Sequence, residues 1–235
     1  MRELFSEYGL ELLSDQENML EKYAGLLTEW NQKMNLTSIT SHEDIVRKHF
    51  LDSALLLSAS ELSLADPDRE IRLLDVGTGA GFPGLVLAIL RPTWQITLLD
   101  SLNKRIDFLN TVITELDLKN VQAIHGRAEE LGRDDTHRLH YDLVVSRAVA
   151  DLRLLLEFCM PFVSDSGIFV SYKGPKFSSE LTSASHALEE LHTLCCFDRE
   201  FSLGESERVL VGFRHDGSFP EKYPRRAGIP AKRPL

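Results

Sequence analysis

Gly77, Gly79, Gly81 and Gly84 lie within eight residues of one another in "LLDVGTGAGFPG", Leu73–Gly84, after an apolar run and just behind an acid, Asp75. Glycines crowded in this way let a backbone turn tightly and come close to a ligand. Residues 79–84 also satisfy G-x-G-x-x-G, a spacing associated with dinucleotides. The neighbouring residues point elsewhere. Asp75 would repel a pyrophosphate and attract an ammonium or sulfonium. Pro83 stands where a helix should begin and has no N–H to offer a phosphate. The whole turn, D-x-G-x-G-x-G from Asp75 to Gly81, overruns the dinucleotide spacing. A ligand with a positive centre and a carboxylate fits better, and S-adenosylmethionine has both.

Two more acids follow at related places. Asp100 ends the next apolar run, about twenty residues past the glycines, where a carboxylate can accept from ribose hydroxyls. That feature suits NAD and S-adenosylmethionine equally. In "HGRAEEL", Ala128 and Glu129 can offer a backbone N–H and a carboxylate to an adenine edge. The alternative for Glu129 is an acid stabilised by a helix N-terminus.

The acceptor should meet "SRAVADL", after the fourth strand. Methylases of exocyclic amines carry an Asn/Asp-Pro-Pro-aromatic turn here, and this chain has Ser146-Arg147-Ala148. Methylation at pyrimidine C5 needs a cysteine nucleophile. Cys159 sits late in a helical pattern, and Cys195 and Cys196 open an edge strand. An acceptor that is already nucleophilic remains, and guanine N7 qualifies because it carries a lone pair and no proton. Catalysis is then a matter of placement. Arg147 is the candidate catalytic group, able to fork onto a carboxylate, a phosphate or a guanine edge. Its alternative is a surface pair with Asp142 or Asp151. Lys173, in "YKGPK", ends the fifth strand and could reach a phosphate.

The elements that must hold these residues alternate. The runs "IRLLDV", "QITLLD", "VQAIH", "YDLVVS" and "GIFVSY" read as strands separated by helical patterns. Thr193–Ser202 and Arg208–Phe213 read as an antiparallel hairpin. The expectation is an α/β fold with a mostly parallel, seven-stranded sheet and an antiparallel edge hairpin. Helical spacing recurs ahead of it. Ser14 and Glu17 suggest a capping box for a helix to about Met34, and Ser41 a cap for "HEDIVRKHFLDSALLLS". The expected division is a helical cap over 1–60, a linker over 61–70, the α/β domain over 71–218 and a basic tail over 219–235.

The chain has 235 residues, 43% hydrophobic, with a net charge of −10. It can bury a core, carries no run long enough to span a bilayer, and opens on a charged segment unlike a signal peptide. Three cysteines without a C-x-x-C pair read as reduced thiols of a cytosolic protein. The tail carries Lys222, Arg225, Arg226, Lys232 and Arg233 against Glu221. Local charge decides whether a phosphate backbone is attracted, so Arg225, Arg226, Lys232 and Arg233 are candidate RNA contacts, the alternative being a solvated tail. On that reading, removing the tail lowers RNA affinity and leaves cofactor affinity nearly unchanged. His137-x-x-His140 lies in a charged turn and reads as solvated; no metal site is expected. His49 and Asp52 share a helix face near "NLT" and either line the acceptor side or form a polar face.

The ordered set "DVGTGAGFPG", "DSLNKRIDFL", "GRAEE", "SRAVA" and "YKG", preceded by "WNQKMNLTSIT" and "HFLDS" and followed by "RRAGIPAKRPL", resembles the bacterial glucose-inhibited division protein B family. That family comprises 16S ribosomal RNA guanine-N7 methyltransferases. The resemblance implies a class I, Rossmann-like S-adenosylmethionine-dependent methyltransferase fold with an N-terminal helical extension. It implies cofactor contacts at Gly77, Phe82, Ala128, Glu129 and Arg147, with Asp100 as the ribose acid and Gly79 in the same turn. The implied partner is 16S ribosomal RNA within the small subunit or its precursor, met by a cytoplasmic monomer. Two other classes stay open: a nicotinamide-dependent oxidoreductase, and a module that binds S-adenosylmethionine without turnover.

Overall fold

A computed structural model describes residues 1–64, 66, 68–147 and 150–235. Ala148 and Val149 of the "SRAVA" loop, and Ala65 and Pro67 of the expected linker, lie outside the described residues. The helices are α1 (Arg2–Ser6), α2 (Ser14–Asn31), α3 (His42–Ile45), α4 (Asp52–Ala54), α5 (Gly84–Leu90), α6 (Asn103–Glu115), α7 (Ala128–Leu131), α8 (Leu152–Cys159), α9 (Phe177–Ser183), α10 (Ser185–Glu190) and α11 (Ile229–Lys232). The strands are β1 (Arg72–Val76), β2 (Gln95–Asp100), β3 (Val121–His125), β4 (Tyr141–Arg147), β5 (Val163–Lys173), β6 (Thr193–Leu203) and β7 (Ser206–His215), in sheet order β3-β2-β1-β4-β5-β7-β6. The seven strands and the antiparallel edge hairpin match the expectation from the sequence. Among the described residues no helix is long and apolar enough to cross a membrane.

The chain divides into two compact units. The first joins Met1–Glu70 to Thr78–His125. Here β2 and β3 pair in parallel. Every residue of α5 is buried, as a helix apolar on all sides requires. The apolar spacing of α2 places Leu20, Tyr23, Ala24 and Leu27 in the core. The Gln16 amide donates to the carbonyls of Ile89 and Leu90, each at 3.3 Å, and so satisfies the end of α5.

Two expectations about helix starts fare differently. Ser41 caps α3 through Oγ, which accepts the Asp44 N–H at 3.2 Å. Ser14 does not cap α2; it is the first helical residue. Gln16 accepts the Leu13 N–H at 3.1 Å, while Glu17 turns to the Arg2 guanidinium at 2.6 Å. A charge-assisted bond outcompetes a neutral cap, and nothing near Glu17 in sequence announces Arg2. The run after Ser41 is helical but not uniform: α3 opens into a wide π turn over Val46–Leu51 before α4, then tightens to 3₁₀ over Leu55–Ser58.

The second unit joins Ile71–Gly77 to Gly126–Leu235. Its strands β1, β4 and β5 run parallel, β7 runs antiparallel to β5, and β6 pairs antiparallel with β7 at the edge. The pattern at 178–191, which the sequence suggests is one helix, breaks at Ala184 into α9 and α10. Cys159, Cys195 and Cys196 are free thiols.

Candidate functional site

In the first unit the glycine loop is tied from both sides. Thr78 accepts the N–H groups of Gly81 and Phe82, each at 3.0 Å, which closes the turn. The Gly79 N–H donates to Asp100 Oδ2 at 3.0 Å. Gly79 has φ +63° and Gly81 φ +96°, backbone that a side chain adopts only under strain. The two glycines do different work. A Cβ on Gly79 would meet no atom within 4 Å, whereas a Cβ on Gly81 would come within 2.5 Å of Leu85 Cδ1 and 2.6 Å of the Tyr23 hydroxyl. Gly81 therefore serves packing, and Gly79 leaves the loop approachable.

Asp100 is 2% exposed. Besides Gly79 it accepts from the Leu102 N–H at 2.9 Å and from the Arg105 guanidinium at 3.0 Å. The acid expected to meet a ribose is thus also the fastener of the glycine turn. Phe82 is buried among rings. His49 stacks on it with centroids 4.4 Å apart and planes at 12°, and Tyr23 stacks at 5.4 Å. Tyr23 also donates its hydroxyl to the Ala80 carbonyl. His49, in the π turn, hydrogen-bonds through Nε2 to Thr37 Oγ1 at 2.9 Å. Thr37 in turn donates its N–H to the Asn31 side chain. The "NLT" segment is thereby linked to Phe82 through one histidine.

In the second unit Asp75 is fully buried and Gly77 turns at φ +71°. Ser146 Oγ donates to the Val76 carbonyl at 2.8 Å, tying the ends of β4 and β1. Arg147 is the last residue of β4, in register with Tyr172, rather than part of the loop. Asp142 and Asp151, its possible partners in the sequence, receive Arg72 at 3.0 Å and Arg153 at 2.8 Å. Burial, with the Asp75 charge added, pushes the Cys159 thiol well up, consistent with a thiol that takes no part in chemistry.

Ala128 opens α7, and Glu129, 8% exposed, follows it. Its Oε1 accepts the Gly228 N–H at 3.1 Å, so the C-terminal segment reaches a residue expected to meet adenine. Two expected phosphate contacts are otherwise engaged. Lys173 is 8% exposed and donates to Glu180 at 2.7 Å and the Ala150 carbonyl at 3.2 Å. Arg225 grips Glu157 with its N–H at 2.8 Å and its guanidinium at 2.5 Å. Glu157 is fully buried, so its charge needs that partner. Arg226, Lys232 and Arg233 are exposed. His137 bonds Tyr141 and His140 bonds the Arg138 carbonyl. Among the described residues no group of three histidines, cysteines or acids could hold a metal.

Sequence reasoning missed Tyr23, Arg105 and the Glu157–Arg225 pair. Glu157 carried a legible signal: it is the one acid inside the apolar "LLLEFCM". Such an acid needs a cation from elsewhere.

The family model for rRNA small subunit methyltransferase G, GidB, matches residues 16–199. Proteins named ribosomal RNA small subunit methyltransferase G are similar over nearly the full chain. The one from Lachnoclostridium phytofermentans is 46% identical, covering 97% of this chain and 93% of its own. The one from Alkaliphilus metalliredigens is 42% identical, covering 97% and 95%. Among solved structures, TYW2 of M. jannaschii in complex with AdoMet aligns with a TM-score of 0.52 at 14% identity, over 68% of this chain and 75% of that one. YcgJ of Bacillus subtilis aligns with 0.52 at 15% identity, over 72% and 100%. Both support the Rossmann-like fold. A family match across most of the sequence, with relatives this similar from end to end, means that the chain belongs to the GidB family of rRNA small subunit methyltransferases.

Proposed function

We propose that this protein transfers a methyl group from S-adenosylmethionine to guanine N7 of small-subunit ribosomal RNA. The carrying observation is the likeness, over nearly the full chain, to relatives named for that RNA, together with a buried acid behind each of three successive strands. Asp75 is the penultimate residue of β1, Asp100 ends β2, and Glu129 follows β3; they are 0%, 2% and 8% exposed. Three carboxylates suit a ligand that presents a cation, two hydroxyls and an amine, and oppose a pyrophosphate. Pro83 caps α5 without an N–H to offer, which also disfavours a nicotinamide dinucleotide.

The residues assigned to the cofactor are Gly77, Gly79, Phe82, Asp100, Ala128, Glu129 and Arg147. Gly77 and Gly79 are two apart in one loop. The cofactor supplies an electrophilic methyl on sulfur. The chain supplies close backbone approach at Gly79, acceptors at Asp100 and Glu129, and a planar cation at Arg147. Guanine N7 needs no base, so Arg147 acts by orienting, and Arg226, Lys232 and Arg233 meet phosphates.

The test is methyl transfer to small-subunit RNA and to assembled subunits, followed by mass spectrometry of nucleosides. The expected product is 7-methylguanosine. Arg147→Ala should cut the single-turnover rate by about ten- to a thousand-fold, with Arg147→Lys rescuing partly. The rate should stay nearly flat from mild acid to mild base. A methyl group found elsewhere, or a steep rise with one deprotonation, overturns the N7 assignment. Cofactor binding without turnover on either RNA form overturns the enzyme reading.

A further inference from the structure

We propose that the C-terminal segment is a positioning element of the cofactor site, with Gly228 as the group that aims Glu129. The inference rests on the assignment of Glu129 to the cofactor and extends it. All the contacts involved lie in the second unit. Glu129 is the second residue of a four-residue helix, α7, too short to be stable alone. The C-terminal segment clasps that helix at both ends. At its start, Gly228 donates its N–H to Glu129 Oε1 at 3.1 Å. Past its end, Arg138 Nη1 donates to the Gly132 carbonyl and to the Tyr223 carbonyl, each at 2.8 Å. Pro224 lies so near Gly132 that a Cβ there would be 3.1 Å from its ring. The anchor is Arg225, whose backbone and guanidinium both bond the buried Glu157.

The consequence for binding is entropic. A glutamate side chain has several rotatable bonds and loses freedom when a ligand orders it. A carboxylate already held through one oxygen has lost that freedom beforehand, so a ligand binding at the other costs less. Gly228 has φ +80°, which leaves glycine the residue suited to present an N–H there.

The test uses the full chain and S-adenosylhomocysteine, with the dissociation constant read by calorimetry in the absence of RNA. Gly228→Pro removes the N–H and the left-handed turn without touching the ion pair. It should weaken binding about tenfold, the size of one charge-assisted hydrogen bond. Arg225→Ala should weaken it in the same direction, and Arg225→Lys should recover part. In a Glu129→Ala background, Gly228→Pro should add nothing, because the effect passes through that carboxylate. At saturating cofactor, kcat should hold while KM for the cofactor rises. If Glu129→Ala leaves affinity unchanged, the cofactor assignment fails and takes the proposal with it. If Glu129→Ala weakens binding but Gly228→Pro does not, or the two effects add, the positioning role alone is overturned. Thermal melts keep any loss of folding apart from loss of affinity.

Discussion

In the first unit Phe82 lies among Tyr23, His49 and Phe50, rings whose centroids are 4.4 to 6.1 Å away. In the second, Glu129 is held by a backbone N–H on a segment that is itself tied down by an arginine–glutamate pair. Both arrangements fix a residue assigned to the same cofactor. The hydrophobic burial of rings is non-directional and has no net charge for salt to screen. Ion pairs and hydrogen bonds are directional, and removing one partner leaves the other stranded. Phe82 therefore rests on shape and Glu129 on charge, and the two should fail in different ways.

The largest effect should come from overfilling the packed side. Gly81→Val places a branched side chain at φ +96° against Leu85 and the Tyr23 hydroxyl. We expect a loss of about 3–5 kcal/mol in denaturant unfolding, from strain and collision together. Gly79→Ala meets no atom and carries only the strain of its φ, about 1–2 kcal/mol. Equal effects at the two positions would erase the distinction drawn between them.

Next is the charged side. Glu157→Ala strands Arg225 in a partly buried place, with the Arg225 side chain 24% exposed. Unfolding free energy should fall by about 2–4 kcal/mol, somewhat less than for a fully buried pair. A change below about 0.5 kcal/mol, the range of exposed pairs, would return this contact to the surface class.

A smaller effect probes a polar bond within the aromatic cluster. Tyr23→Phe keeps the ring and removes the bond to the Ala80 carbonyl. The cost should be about 1–2 kcal/mol, the penalty for a buried carbonyl left alone. Cofactor affinity should fall with it if the bond also shapes the glycine turn; stability loss without affinity loss would separate the two.

The smallest effect is a pH dependence. Hydrogen bonds from Lys222 and Tyr223 hold the Glu190 carboxyl down at about 2, against an ordinary value of 4.5. A depressed carboxylate contributes stability that is complete above its unfolded value and is lost as pH falls through the folded one. The contact should therefore loosen between about pH 4.5 and 2, and not between 5 and 8. Tyr223 fluorescence followed on acid titration should report it, and Glu190→Gln should flatten that response. A titration unchanged in Glu190→Gln would assign the signal to another group.

Much of this was legible beforehand, and the exceptions share a cause. The glycine turn, the strand alternation and the Ser41 cap are local signals, set by residues within a few positions of one another. The helical run past Ser41 was legible as helix but not as a π turn. Arg225 and Lys173 read as cations at a surface, because composition reports charge and not its partner. Glu157 lies 68 residues before Arg225, and Glu180 seven after Lys173 but in a different element. Glu129 and Gly228 are 99 apart. Contacts at such separations are made by the fold, and no spacing rule anticipates them.

The Gly228–Glu129 bond has a thermodynamic consequence. Gly228 lies between Arg226 and Lys232, two of the exposed cations assigned to phosphate. If RNA orders this segment, it also holds Glu129, and the cofactor then binds an already arranged carboxylate. Reciprocity requires that bound cofactor raise RNA affinity by the same factor. Each substrate would retain the other, and departure of the RNA would release both its hold on the segment and part of the hold on the demethylated cofactor. The two ligands would then share one cooperative cycle, with a coupling energy measurable as the change in cofactor affinity when RNA is added.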